Sequence, residues 1–212
     1  MDSWVRGQYP PMDLSLSLLM GAIVGVVLNR AEQARRVALL RRCLQPLQIE
    51  SLLETLTDGY LRAMEEDDPQ RREAVWQVLK GHEARLVQQL DTLARDAAQL
   101  DAASTRASAW PMALPLMARL LPGACFDLRA ALRVHADGVA HVARNAEGLS
   151  ERDRAYRQSA ELLLFQHTCH RFCRSRSVAS ARLLARHRTS LEQVLATVSP
   201  HTREGLAALG VH

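Results

Sequence analysis

The chain has 212 residues, enough for one domain with a real core or for a membrane segment joined to one modest helical domain, and too few for two full domains. Its 48% hydrophobic and 24% charged content excludes wholesale disorder, and 4% aromatic residues among many Ala, Leu, Arg, Glu and Gln favour helices over strands. The net charge of +4 is uneven, because residues 1–100 hold 12 basic and 14 acidic side chains and the remainder is net +6. Lys80 is the only lysine, a bias that reads first as codon usage in a GC-rich, bacterial genome and second as selection for bidentate anion binding. Cys43, Cys125, Cys169 and Cys173 are expected to be free thiols in a reducing compartment, since no small-residue cleavage site follows the early apolar run.

Residues 1–13 form a short irregular lead carrying Trp4, Tyr9 and the pair Pro10 and Pro11. Residues 14–28 then hold no charge, and nine of these fifteen are Leu, Ile or Val. As a helix they cover about 22 Å against about 30 Å of hydrocarbon, and their insertion is worth roughly −3 to −5 kcal/mol before Ser15, Ser17, Gly21 and Gly25 subtract. Trp4 and Tyr9 stand where an interfacial belt would be, and five Arg follow within fifteen residues. The expectation is a single pass through an inner (cytoplasmic) membrane, N-terminus outside and bulk in the cytoplasm. Gly21 and Gly25 form a GxxxG pair suited to close helix packing. The competing expectation is a soluble cytoplasmic protein in which residues 14–28 are the central helix of the bundle.

From Asn29 to Leu44 the pattern is amphipathic and basic, up to a break at Pro46. A helix follows over 47–64 with Leu52, Leu53, Leu56 and Leu61 as its stripe. Asp68 caps the next, with Pro69 at its first position, and a long helix runs over 70–103 with the coiled-coil-like stripe Val75, Leu79, His82, Leu86, Leu90, Leu93, Ala97 and Leu100. Prolines make 105–123 a hinge. Beyond it lies a helix over 124–145, with Leu128, Leu132, His135, Val139 and Val142 on one face and Gly148 closing it. A very long helix is predicted over 151–198, opened by Ser150 and Asp153 and with a candidate break near Ser175 to Ser177, and a short one from Ser199 and Pro200 to Leu209. The organisation is therefore an anchor at 1–28, a basic helix and hairpin at 29–104, the hinge, and a C-terminal helical half at 124–212.

The densest group of reactive side chains is His167, Cys169, His170 and Cys173. Helical spacing makes a partial soft-metal site possible, with His135, Asp137 and His141 as the only remote ligands. The plainer expectation puts Cys169 in the core and turns His167 and His170 to the polar flank. His82, His135 and His187 lie on apolar stripes, where they are core residues, titrating groups or axial haem ligands. Arg171, Arg174, Arg176, Arg182, Arg186 and Arg188 form a stretch with no acid, suited to anionic lipid, an acidic partner or, less favourably, nucleic acid, or else a solvated face partly paired with the acidic helices upstream.

These readings predict an all-α protein: an N-terminal apolar, membrane-spanning helix followed by a helical bundle. The expected role is that of a non-enzymatic interaction or scaffold component of a bacterial envelope or secretion assembly, with protein partners including copies of itself and no cofactor. The alternatives are a soluble regulator using the Arg171 to Arg188 segment, and a metal- or haem-binding protein using the His167 to Cys173 cluster.

Overall fold

Capping chemistry sets where most of the helices begin in the computed structural model, which describes residues 12–111 and 121–211. The expected interfacial residues Trp4 and Tyr9 lie outside the described residues. Helix α1 spans Met12–Leu44 and α2 spans Ile49–Glu65. Helix α3 (Pro69–Ala98) opens with the Asp68 carboxylate accepting from the backbone N–H of Gln70 at 2.8 Å, with Pro69 inside the first turn. Helix α4 (Leu128–Ala143) is capped by Asp127, and α5 (Glu151–Cys173) by Ser150, whose hydroxyl accepts from Asp153 N–H at 3.1 Å. Helices α6 (Arg176–His187), α7 (Leu191–Thr197) and α8 (Pro200–Ala208) start at Ser175, Ser190 and Ser199. The protein is all-α, as expected, with one small strand pair among the described residues.

The very long helix expected over 151–198 is three helices. The chain turns at Arg174 and Ser175, where the Ser175 hydroxyl accepts from Val178 N–H, and again at Arg188, which takes the left-handed conformation at φ 52°. Ser190 and Gln193 then close a reciprocal capping box. The first turn falls where the break near Ser175 to Ser177 is expected; the unbroken three-and-four spacing of apolar residues hides the second, because α6 and α7 fold back on α5 and bury the same kinds of side chain.

Of the expected hinge 105–123, residues 112–120 lie outside the described residues, and the chain on either side of them forms an antiparallel pair. Strands β1 (Arg106–Ser108) and β2 (Cys125–Asp127) pair Ala107 with Phe126, and both of these are buried in the core that also holds α3, α4 and α5. Helix α3 lies against both α2 and α4, α5 against α4, and α8 on α4. Leu56, Leu86, Ala131, Val139, Leu164, Phe172 and Leu206 are fully buried at the centre, each large one worth about 1.5–3 kcal/mol of transfer free energy. Leu61, placed on the α2 stripe by sequence, is instead 52% exposed, while Tyr60 and Ala63 continue the buried face.

Candidate functional site

Helix α1 joins the apolar run and the basic segment in one unbroken helix of 33 residues, about 50 Å long. Its two halves have opposite surroundings. From Leu14, at 70% exposure, to Leu28, at 43%, every large apolar side chain projects into open space, and so does the face carrying Gly21 and Gly25. The expectation that residues 14–28 form the central helix of the bundle is therefore corrected: they pack on none of it, whereas Leu56 and Leu86 fill that position. By length and composition α1 is the one helix among the described residues able to cross a membrane.

Beyond Asn29 the same helix docks. Leu40 is buried, Arg36 pairs with Glu32 and sits 5.9 Å from the centre of the Phe172 ring, and Arg174 donates to Gln33 Oε1 at 2.7 Å. Helix α1 therefore lies against the C-terminal half of α5, and α6 returns beside them. Between α1, α2, α5 and α6 runs an open groove of about 1050 Å³. Leu40, Leu53 and Leu183 contribute apolar lining, Arg41, Arg182 and Arg186 supply positive charge, and Glu50, Glu54 and Asp58 supply negative charge.

The basic segment divides. Arg171 does not belong to a solvated face, as expected from sequence, but is 2% exposed, donating to the Ala109 carbonyl at 2.7 Å with its guanidinium 4.9 Å over the Phe126 ring. Burial, with Arg176 adding to it, lowers its pKa to about 10. Arg174, Arg182, Arg186 and Arg188 are exposed and Arg176 is half-buried. Among the described residues none of these five enters an ion pair, so the anticipated pairing with the acidic helices is not found. Ion-paired arginines lie elsewhere, among them Arg36 on α1, Arg129 and Arg133 on α4, and Arg154 and Arg157 at the start of α5.

The structure does not gather His167, Cys169, His170 and Cys173 into a ligand set, and no three His, Cys, Asp or Glu side chains among the described residues are placed to hold a metal ion. His167 is buried rather than turned to the polar flank, its Nε2 at 3.1 Å from Ser180 Oγ, and burial chiefly lowers its pKa to about 4. Cys169 is a core residue, as expected, and burial pushes its thiol far up; the half-buried Cys173 thiol is pushed up to about 11. Neither is poised to be a thiolate. The remote ligands are engaged elsewhere: His135 with Thr168 at 2.9 Å, Asp137 with Arg133, and His141 with Glu147. His187 lines the groove, as do His167, Cys169, His170 and Cys173.

Sequence reading missed two polar nodes. Glu83 is buried and accepts from Tyr60 Oη at 2.6 Å and Arg154 Nη1 at 2.6 Å. Its position was legible, since Leu79, Glu83, Leu86 and Leu90 follow the helical spacing. Glu161, also buried, accepts from the N–H and hydroxyl of Ser199 and so holds the start of α8 against α5.

An all-α bundle with one protruding apolar helix is the class that these features define. No protein-family model, curated protein or solved structure matches the chain.

Proposed function

We propose that this chain is a membrane-tethered interaction protein, in which residues 14–28 of α1 are the anchor and the bundle presents a binding surface. One observation carries the reading: fifteen consecutive uncharged residues, most of them large and apolar, stand clear of the fold on every side of the helix. A helix apolar all round is stable only inside a larger core or a bilayer, and soluble monomers rarely leave so large an apolar patch bare. The arginines at 30, 35, 36, 41 and 42 favour a cytoplasmic bundle and an external N-terminus. The groove between α1, α2, α5 and α6, apolar in part with charge of both signs at its walls, suits an amphipathic segment of a protein partner, in keeping with a scaffold role in a bacterial envelope or secretion assembly. The work done is attachment and binding rather than catalysis.

The test is fractionation of the full chain followed by carbonate and high-salt washes, beside Ile23→Arg and beside a chain starting at Asn29. The full chain is expected to stay in the washed pellet and both variants to leave it. Full-length protein that remains soluble and monomeric without detergent would refute the anchor.

A further inference from the structure

We infer that the end of the bundle from which α1 emerges is a second membrane contact, a face built to rest on anionic phospholipid headgroups. This rests on the anchor reading above and specifies the surface that reading leaves open.

Three sets of hydrogen bonds assemble this end. Arg174, at the turn between α5 and α6, donates to Gln33 of α1. The backbone N–H and hydroxyl of Ser177, in the first turn of α6, both donate to the Pro111 carbonyl, at 3.1 and 2.9 Å. Ala109 N–H donates to the Ala124 carbonyl at 2.8 Å, tying the segment before Pro111 to the one after Leu121. Cys125 is close enough to Arg36 and Glu32 for their charges to act on its thiol, so this strand pair also borders α1. The α5–α6 turn, Trp110–Pro111 and Leu121 are thus gathered around the point where α1 leaves the bundle.

The height of this face follows from helix geometry. Gln33 is five residues past Leu28, about 7.5 Å along the axis, and the headgroup layer on each side of the hydrocarbon is about 5–7 Å thick. With residues 14–28 in the hydrocarbon, the α5–α6 turn comes to the level of the phosphates.

Its chemistry fits that level. Arg30, Arg174 and Arg176 have no ion-pair partner among the described residues, and Arg30 and Arg174 flank one shallow groove with Ala34, Val37 and Arg41. Guanidinium groups pair bidentately with phosphate. Beside them Trp110 is 51% exposed and Leu121 49%, and Val178 is similarly bare, an indole and two aliphatic groups of the kind that partition into the interface. Arg182 and Arg186 lie farther along α6 and line the groove, and Arg188 caps the end of that helix. The face therefore takes only part of the basic segment, and adds Arg30, Trp110, Leu121 and Val178 to it.

The test uses the full chain reconstituted into vesicles of phosphatidylcholine alone, or of phosphatidylcholine with phosphatidylserine, each with bromine on the acyl chain near the headgroup. The Trp110 signal is the difference between the native chain and Trp110→Phe. Expected is quenching of Trp110 in the anionic vesicles, and its loss in phosphatidylcholine, at high salt, and in Arg174→Gln/Arg176→Gln. That double variant should keep carbonate resistance and an unchanged circular dichroism spectrum. Equal quenching in both vesicle types would overturn the selectivity for anionic lipid. Absence of quenching in a carbonate-resistant chain would overturn the face and leave the anchor standing. A chain that floats with neither vesicle would overturn both.

Discussion

The two halves of α1 are made of the same helix and obey different solvents. Residues 14–28 are apolar all round and touch nothing, while residues 29–44 carry five arginines and bury Leu40 and Arg36 against α5. No break in secondary structure marks the change. What changes is the angular distribution of apolar side chains, from a full circle to a stripe, and that distribution is what separates a helix sheathed by lipid or a partner from one that needs a bundle. The comparison implies that substitutions in one half are felt by the fold and in the other by the membrane.

The largest effect should fall wholly on the bundle. Glu83 and Arg154 are both buried, so Glu83→Ala takes from the guanidinium its one buried carboxylate, leaving only the partly exposed Glu151 at 2.8 Å, strands the Tyr60 hydroxyl, and is expected to cost about 3–5 kcal/mol. The urea midpoint in detergent should drop sharply while the chain still pellets with membranes. If the pellet is lost instead, the two halves are not independent. Ile23→Arg makes the reverse test. A central arginine costs insertion about 3 kcal/mol, most of what the apolar run supplies, yet the bundle's urea midpoint should stay where it was.

A pair of identical substitutions sharpens the contrast. Leu40→Ala, at a 6% exposed position, is expected to destabilise the bundle by about 2–5 kcal/mol. Leu19→Ala, where the side chain is bare, should leave the bundle within about 0.5 kcal/mol. Equal losses at the two positions would mean that residues 14–28 pack on the fold in solution.

Much of this architecture was legible because its causes are local. Asp68 with Pro69, Ser150 with Asp153 and Ser199 with Pro200 each announce a helix start, and the α4 stripe from Leu128 to Val142 is buried throughout. The break near Ser175 was legible from its serines, but the one at Arg188 was not, since Ser190 reads equally well as a helix-surface residue until α7 folds back on α5. The site was legible in part for the same reason. The apolar run and the arginines are composition, but which arginines are bare is tertiary: Arg171 lies one helical turn from Arg174 and is buried only because Ala109 and Phe126 close over it. Of the His167 to Cys173 cluster, the sequence shows only that a helix places side chains 167 and 170 near one another; what the bundle sets beside His167 is Ser180, a tertiary fact.

The smallest effect concerns pH, and it too should spare the anchor. His135 is fully buried, with Nε2 held by Thr168 and its ring edge-on to Phe165 at 5.7 Å, and burial, with His167 adding, lowers its pKa to about 3. The folded value lies below the ordinary value of 6.5, so folding keeps the imidazole neutral while the unfolded chain takes up a proton. The stability is fully present above pH 6.5 and is lost progressively as pH falls from there toward 3. Between pH 7.5 and 6 the linked loss is about 1 kcal/mol for this residue, and the buried His167, lowered to about 4, adds to it with the same sign. Urea titrations of the native chain and His135→Gln across that range should show the native midpoint falling more steeply, with carbonate-resistant pelleting unchanged at either pH. A native midpoint flat through pH 6 would place the protonated imidazole in water, and with it an opening of α4 from α5 that the close packing around Phe165 rules against.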